Sequence, residues 1–315
     1  MQRSTKLQLS WLPWVHLRCG DYEAWISPGA GGRLCRLIWH GPNGDRNLVV
    51  PVDTHLPFDQ DAWPKQGAFP MVPYSNRLKD GRFQWDGNDY QIRLVPGHGY
   101  GLHGFGHRQA WQVDEVHAHS VSMRLRHEAD AIEWPWSFTA RLVYSLSDHG
   151  LAVDLMIRNE SATSMPAILG WHPYVPALWF SGDSACGMAC AVHDVDDDGS
   201  CTLDIAGNEP QHIVANYGSP HTLALQDLRS NWSIQSFMRE RWILTTDAAH
   251  LVHHVPKELA YACIEPVGAL PGALGLASGH ALLNEISLES NTCRHLKCRL
   301  QATTEDSEAA HAGFR

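Results

Sequence analysis

The sequence predicts an all-β protein, built as one large antiparallel β-sandwich. Three observations lead there. Apolar and polar residues alternate over short runs, clusters of Gly, Pro, Asn and Asp separate those runs, and helical apolar spacing is almost absent. A chain of 315 residues is long enough to bury a sizeable core in such an architecture.

The elements follow in order. Residues 22–50, YEAWISPGAGGRLCRLIWHGPNGDRNLVV, read as three strands joined by a Pro-Gly-Ala-Gly-Gly turn and a Pro-Asn-Gly-Asp turn. Residues 56–67 hold a turn of helix at most. Residues 82–94 read as a hairpin turning through Asp86, Gly87, Asn88 and Asp89. The stretches 111–128 and 136–161 continue the pattern. Phe138, Ala140, Leu142 and Tyr144 alternate with other residues, Ser147 to Gly150 turns the chain, and LAVDLMIRN alternates again. Residues 193–219 read as loop-rich. With no repeat, no long linker and no heptads, residues 1–301 form one domain, and 302–315 form a polar, frayed tail.

Composition narrows the function classes. Hydrophobic residues make up 44% and charged residues 18%, ordinary for a globular protein. A net charge of −10, with no basic run, argues against a nucleic-acid partner. The N-terminus lacks the apolar core of a signal peptide, and no apolar run approaches a membrane span. A soluble cytoplasmic protein with no membrane partner is expected. The eight cysteines include no CxxC pair, so they read as reduced, mostly buried small hydrophobes.

Four stretches carry residues suited to chemistry. Asn76 and Arg77 lie between a Pro-Tyr-Ser turn and a Lys-Asp-Gly turn. That Arg is either an ordinary loop charge or a ligand contact. His103 lies in the glycine-rich run 98–111 with His98 and His107, where glycine permits close backbone approach. It is either a ligand contact or a turn histidine satisfied by backbone. His172 precedes Pro173, and proline holds its predecessor extended. Glu265 lies in the apolar run ACIEPV, where desolvation would raise its pKa and make it a usable base. Alternatively it sits on the outward face of an edge strand, which Pro266 would suit.

No metal site is expected. The histidine spacings in 98–107 are not those of a strand-borne ligand set, and His117 and His119 lack a third ligand in register. The acidic run DVDDDG at 194–199 resembles part of a calcium loop. Counting from Asp194, the twelfth position is Ile205 rather than a carboxylate, so a solvated loop is the better reading.

Taken together these motifs resemble the ordered signature of the aldose 1-epimerases, or galactose mutarotases, over about residues 20 to 300. The signature residues are Asn76-Arg77 with Gly81-Arg82-Phe83 and Trp85, then Leu102-His103-Gly104, then Gly170-Trp171-His172-Pro173-Tyr174, then Glu265-Pro266. ISPGAGGRLCRLIWHG resembles the family's early hairpin. The resemblance implies a large antiparallel β-sandwich, no cofactor, and a small-molecule sugar interconverted between its α and β anomers. It implies that Glu265 takes the proton from the anomeric hydroxyl and that His172 protonates the ring oxygen. It also implies that Arg77 and His103 bind the sugar while Asn76 shapes the pocket. Trp171 is a candidate for an apolar face against the sugar's C–H edge.

Two departures bear on specificity. The family's substrate-binding Asp has no convincing match; Asp227 is nearest by position and Asp247 is the other candidate. The Thr and Asn or Asp that often follow the Glu-Pro pair are replaced here by Gly268, Gly272 and Gly275. Galactose is therefore not assumed. The alternatives are a hexose-6-phosphate 1-epimerase, for which Arg33, Arg77, Lys79 and Arg82 could supply charge, and a non-catalytic sugar binder on the same fold. A monomer or a homodimer is expected.

Overall fold

A computed structural model describes residues 10–176, 179–182, 192–195, 201–204, 213–215, 221–226, 232–235, 240–257, 261–275 and 285–304. The alternation read along 138–159 becomes two strands, Phe138–Ser147 and Gly150–Asn159, paired in register from Phe138↔Asn159 to Ser147↔Gly150. Phe138, Ala140, Leu142, Tyr144 and Leu146 are all buried on one face of the first strand. Burying each large apolar side chain contributes about 1.5–3 kcal/mol.

Two large antiparallel sheets face each other across that core. One orders nine described strands, running from Gln112–His117 through Phe138–Ser147, Gly150–Asn159 and Cys293–Thr304 to Ile213–Ala215. The other has eleven, and its centre runs Arg33–Gly41, Ala68–Met71, Gly170–Val175, Ala262–Val267, His250–Val255 and His221–Gln226. One core cluster takes Leu17, Ile26, Leu34 and Leu37 from the second sheet and Leu142, Tyr144, Leu151 and Val153 from the first. The Tyr144 hydroxyl crosses the interface and donates to the Gly32 carbonyl at 3.1 Å. The sandwich expected from sequence is the observed architecture.

The hairpin of 82–94 closes more tightly than the sequence reading placed it. Trp85 pairs with Asn88, so the turn is Asp86-Gly87 alone. Both residues have positive φ, 49° and 74°, as a two-residue turn between twisted strands requires.

Residues 56–67 form bends and irregular backbone without a helix, within the single helical turn the sequence allows at most. Some expectations need correcting. The segment 193–219 contains the strands Cys201–Asp204 and Ile213–Ala215, and Val192–Val195 runs into it. Those strands flank the acidic run, whose residues 196–199 lie outside the described part. The tail begins later than 302, because Ala302, Thr303 and Thr304 pair with Trp242, Arg241 and Glu240. No helix among the described residues is long and apolar enough to cross a membrane.

Candidate active site

Glu265 is not on an edge strand. The strand Ala262–Val267 is central, flanked by Gly170–Val175 and His250–Val255, and every residue in it is buried. Its ladder with Gly170–Val175 pairs Gly170 with Val267 and Tyr174 with Cys263, and skips the residues between. Pro173 and Pro266 both fall in that gap, where neither can donate a ladder hydrogen bond. Extending the register across the gap sets His172 opposite Glu265. Two prolines thus mark the place where the sheet gives up backbone pairing and two polar side chains meet.

They meet closely. His172 Nε2 lies 3.3 Å from Glu265 Oε1, and the two residues are 4% and 3% exposed. Burial pushes the Glu265 carboxyl up to about 8, against the opposing pull of the Arg77 guanidinium. Burial also holds the His172 imidazole well below its ordinary value, reinforced by His103, Lys65, His254 and Arg33. Desolvation therefore favours the neutral pair, in which acid and imidazole hold one proton between them. Glu265 Oε2 and His172 Nδ1 are buried and find no hydrogen-bond partner among the described residues.

His103 is fixed from behind. The Asn76 N–H donates to His103 Nδ1 at 3.1 Å, and the His103 N–H donates to the Asn76 carbonyl at 3.0 Å. With Nδ1 accepting, the ring proton sits on Nε2. Burial, then His107 and Arg77, hold this ring neutral as well, so it presents a neutral N–H donor. Asn76 and His103 both adopt left-handed backbone, φ 64° and 55°. Gly104 follows at φ 63°, where a Cβ would lie 2.2 Å from the Val72 carbonyl oxygen. Arg77 begins the short strand Arg77–Lys79, which pairs with Tyr100–Leu102 beside His103. Its guanidinium lies 5.3 Å from the centre of the Tyr100 ring, and the Asn76 side chain caps its backbone N–H at 2.9 Å.

Asn76, Arg77, His103, His172 and Glu265 line one cleft of about 520 Å³ including its mouth, within the usual range for a small-molecule site. The sequence reading missed other lining residues: Trp63, Lys65, Tyr174, Thr222, His254 and Tyr261. One signal was available. Val252 and His254 alternate on the strand beside Glu265 and both reach the cleft. Lys65 and Trp63 come from an irregular segment without a pattern, and Lys65 stands exposed at the mouth, 4.4 Å from the centre of the Trp63 ring.

Other expectations fall elsewhere. Trp171 does not reach the cleft; its neighbour His172 does, so the alternation of the strand turns Trp171 into the core between the sheets. Lys79 and Arg82 are exposed and outside the cleft, and Arg33 is buried behind it. Asp247 is exposed and accepts the Lys297 N–H at 2.7 Å, far from a binding role. Asp227 lies outside the described residues. His117 is exposed beside Glu115, and His119 is exposed against the Arg18 carbonyl.

His103, His172 and Glu265 each place a potential metal-ligand atom within 4.8 Å of the others. The Asn76 bond argues against a cation there. It occupies the His103 Nδ1 lone pair and puts the proton on Nε2, leaving no free lone pair on that ring.

The sequence profile of the aldose 1-epimerase family matches residues 17–178, just over half of the chain, including the Asn76-Arg77, His103 and His172 motifs. The chain belongs to the aldose 1-epimerase family. A curated relative in sequence is the uncharacterized protein YphB of Escherichia coli (strain K12), 31% identical over 110 residues. That stretch covers 35% of this chain and 37% of YphB, so the match spans little more than a third of the relative. Solved structures extend the likeness over the whole sandwich. A candidate aldose 1-epimerase of Escherichia coli K12 superposes with a TM-score of 0.75 at 18% identity, covering 93% of this chain and 99% of that one. The GalM/aldose epimerase homologue of C. elegans gives 0.73 at 16% identity, covering 93% and 99%. A galactose mutarotase-like protein of Lactobacillus casei gives 0.71 at 16%, covering 92% and 100%. At these identities the structural likeness speaks for the epimerase fold alone.

Proposed function

We propose that this aldose 1-epimerase family member interconverts the α and β anomers of an aldose by acid–base ring opening and closure. The observation that carries the reading is the buried His172–Glu265 pair, 3.3 Å apart, in a cleft with Arg77 and a neutral N–H donor on His103.

In the productive state Glu265 is the carboxylate and His172 the imidazolium. Glu265 accepts the proton of the anomeric hydroxyl, and His172 donates its proton to the ring oxygen. The C1–O5 bond breaks and C1 becomes an aldehyde. The pair is left as carboxylic acid and neutral imidazole, the state that burial favours. Rotation about C1–C2 turns the other face of the aldehyde. His172 then takes back the proton from the C5 hydroxyl as it attacks, and Glu265 returns one to the carbonyl oxygen. Every proton is accounted for by the two side chains. The His103 Nε2–H and the Arg77 fork would hold sugar oxygens and stabilise developing charge, with Asn76 positioning both. Asp227 stays a candidate sugar contact on the family pattern alone.

Lys65 favours a second reading. With Arg77 it puts two cations at the cleft, which suits a sugar phosphate. The test is polarimetry on freshly dissolved α-D-glucose and α-D-galactose, with the 6-phosphates followed by NMR. Acceleration of any of them supports the epimerase reading, and the ranking selects free or phosphorylated substrate. Acceleration of none favours a sugar-binding protein.

A further inference from the structure

Arg33 has no exposed surface, yet it keeps a guanidinium in the sandwich behind the cleft. Its Nη1 donates to the Gln66 carbonyl at 2.7 Å and reaches the Pro64 carbonyl at 3.5 Å. Among the described residues Nε and Nη2 find no hydrogen-bond partner. Among the described residues no carboxylate pairs with it. An unpaired buried charge is costly, and guanidinium does not escape the cost by losing its proton. The charge rests on an aromatic face instead: Arg33 Cζ lies 4.7 Å from the Phe69 ring centre.

Phe69 connects it to the site. Ala68–Met71 pairs with Arg33–Gly41 at Leu34↔Ala68 and with Gly170–Val175 at His172↔Phe69. The Phe69 and His172 rings stack at 4.6 Å and 20°. Arg33, Phe69 and His172 thus form a row across three neighbouring strands.

We propose that Arg33 is a positioning residue for the proton-transfer pair: its permanent charge, fixed against Phe69, keeps a second proton off His172 and Glu265. The pair then holds a single proton over a wide pH range, as the ring-opening chemistry requires. The inference rests on the epimerase reading for its purpose, but not for its electrostatics. Other groups also face His172: Glu265, His103, Lys65, His254 and Tyr174, with His107 nearby. Arg33 differs from the histidines and from Lys65 in being both permanently charged and fully buried, so neither pH nor solvent screens it.

The test compares wild type with Arg33→Met, which removes the charge at similar length. Two readouts are taken: the acid limb of the mutarotation pH–rate profile, and the titration of the His172 ring by NMR with 13C-labelled histidine. In Arg33→Met both are expected to move up by on the order of one pH unit. If Arg33→Met does not fold, Arg33→Gln carries the same expectation. A folded charge-free variant with an unmoved His172 titration overturns the proposal. A moved titration in a protein with no mutarotase activity supports the Arg33 effect and rejects the epimerase reading. Mutarotation with an unmoved titration does the reverse.

Discussion

Asn76 and His103 hold each other by two hydrogen bonds, backbone N–H to ring Nδ1 at 3.1 Å and backbone N–H to carbonyl at 3.0 Å. The same residue that fixes the His103 tautomer also caps the Arg77 backbone through its side chain. One asparagine in a left-handed conformation therefore aims both sugar-binding candidates.

Replacing it separates conformation from capping. Asn76→Ala forces an ordinary side chain into φ 64° and is expected to cost about 1–2 kcal/mol of stability in denaturant titration. Asn76→Gly accepts that φ and should recover part of the loss. Both lack the side-chain oxygen, so both should show kcat/KM lowered by about tenfold or more. Full activity in Asn76→Gly would show that the Arg77 cap is dispensable.

Glu265→Gln keeps the shape and removes the titration. Turnover should fall by roughly 10²–10⁴-fold. Stability should change in the opposite direction, with a definite pH dependence. Burial pushes the folded carboxyl up to about 8, against 4.5 for the ordinary carboxyl that the unfolded chain exposes. Below 4.5 both states are protonated and Glu265 costs nothing. As pH rises from 4.5 to 8 the unfolded chain ionises first, and the wild type loses up to a few kcal/mol relative to the variant. The difference in Tm between Glu265→Gln and wild type should therefore grow from pH 5 to pH 8. A constant difference would mean that Glu265 is not the desolvated acid described above.

His172 carries the opposite sign. Its folded pKa is depressed, so its contribution to stability falls away as pH drops below the ordinary histidine value of 6.5. His172→Asn should abolish most turnover, by roughly 10²–10⁴-fold, while the chain still folds. It should also flatten the acid side of the stability profile, as followed by thermal melts between pH 5 and 7.

Gly104→Ala tests the floor of the site. The added methyl would meet the Val72 carbonyl oxygen at 2.2 Å in a backbone conformation unsuited to alanine. A loss of more than about 2 kcal/mol is expected, together with a fall in activity, because His103 is the adjoining residue. Wild-type behaviour in both assays would show that the loop relaxes freely.

The sequence carried much of this because the fold is written in a simple period. Along Phe138–Ser147 every second side chain is buried, and hairpin turns such as Asp86-Gly87 announce themselves by residue type. His103, His172 and Glu265 are legible because each adjoins a Gly or Pro that punctuates the chain, and Asn76-Arg77 because a Pro-Tyr-Ser turn and a Lys-Asp-Gly turn bracket the pair. Pro266 misled for the same reason. Proline usually marks an edge, and here it opens a gap in a central ladder. Trp171 was misassigned by one step of the strand period, which carries it to the other face. Lys65, Trp63 and Tyr261 reach the cleft from irregular segments, where no periodicity foretells direction. Arg33 counts in sequence among the cations available to a phosphate, yet it lies buried behind the cleft, since nothing local distinguishes a buried arginine from an exposed one.

The most direct measurement is the rate of anomer interconversion by wild type and Glu265→Gln on freshly dissolved α-aldoses and their 6-phosphates, each against the spontaneous rate. Clear acceleration of at least one sugar by the wild type is expected, with a loss of roughly 10²–10⁴-fold in the variant. Equal acceleration by both proteins, or none by the wild type on any sugar, would contradict it.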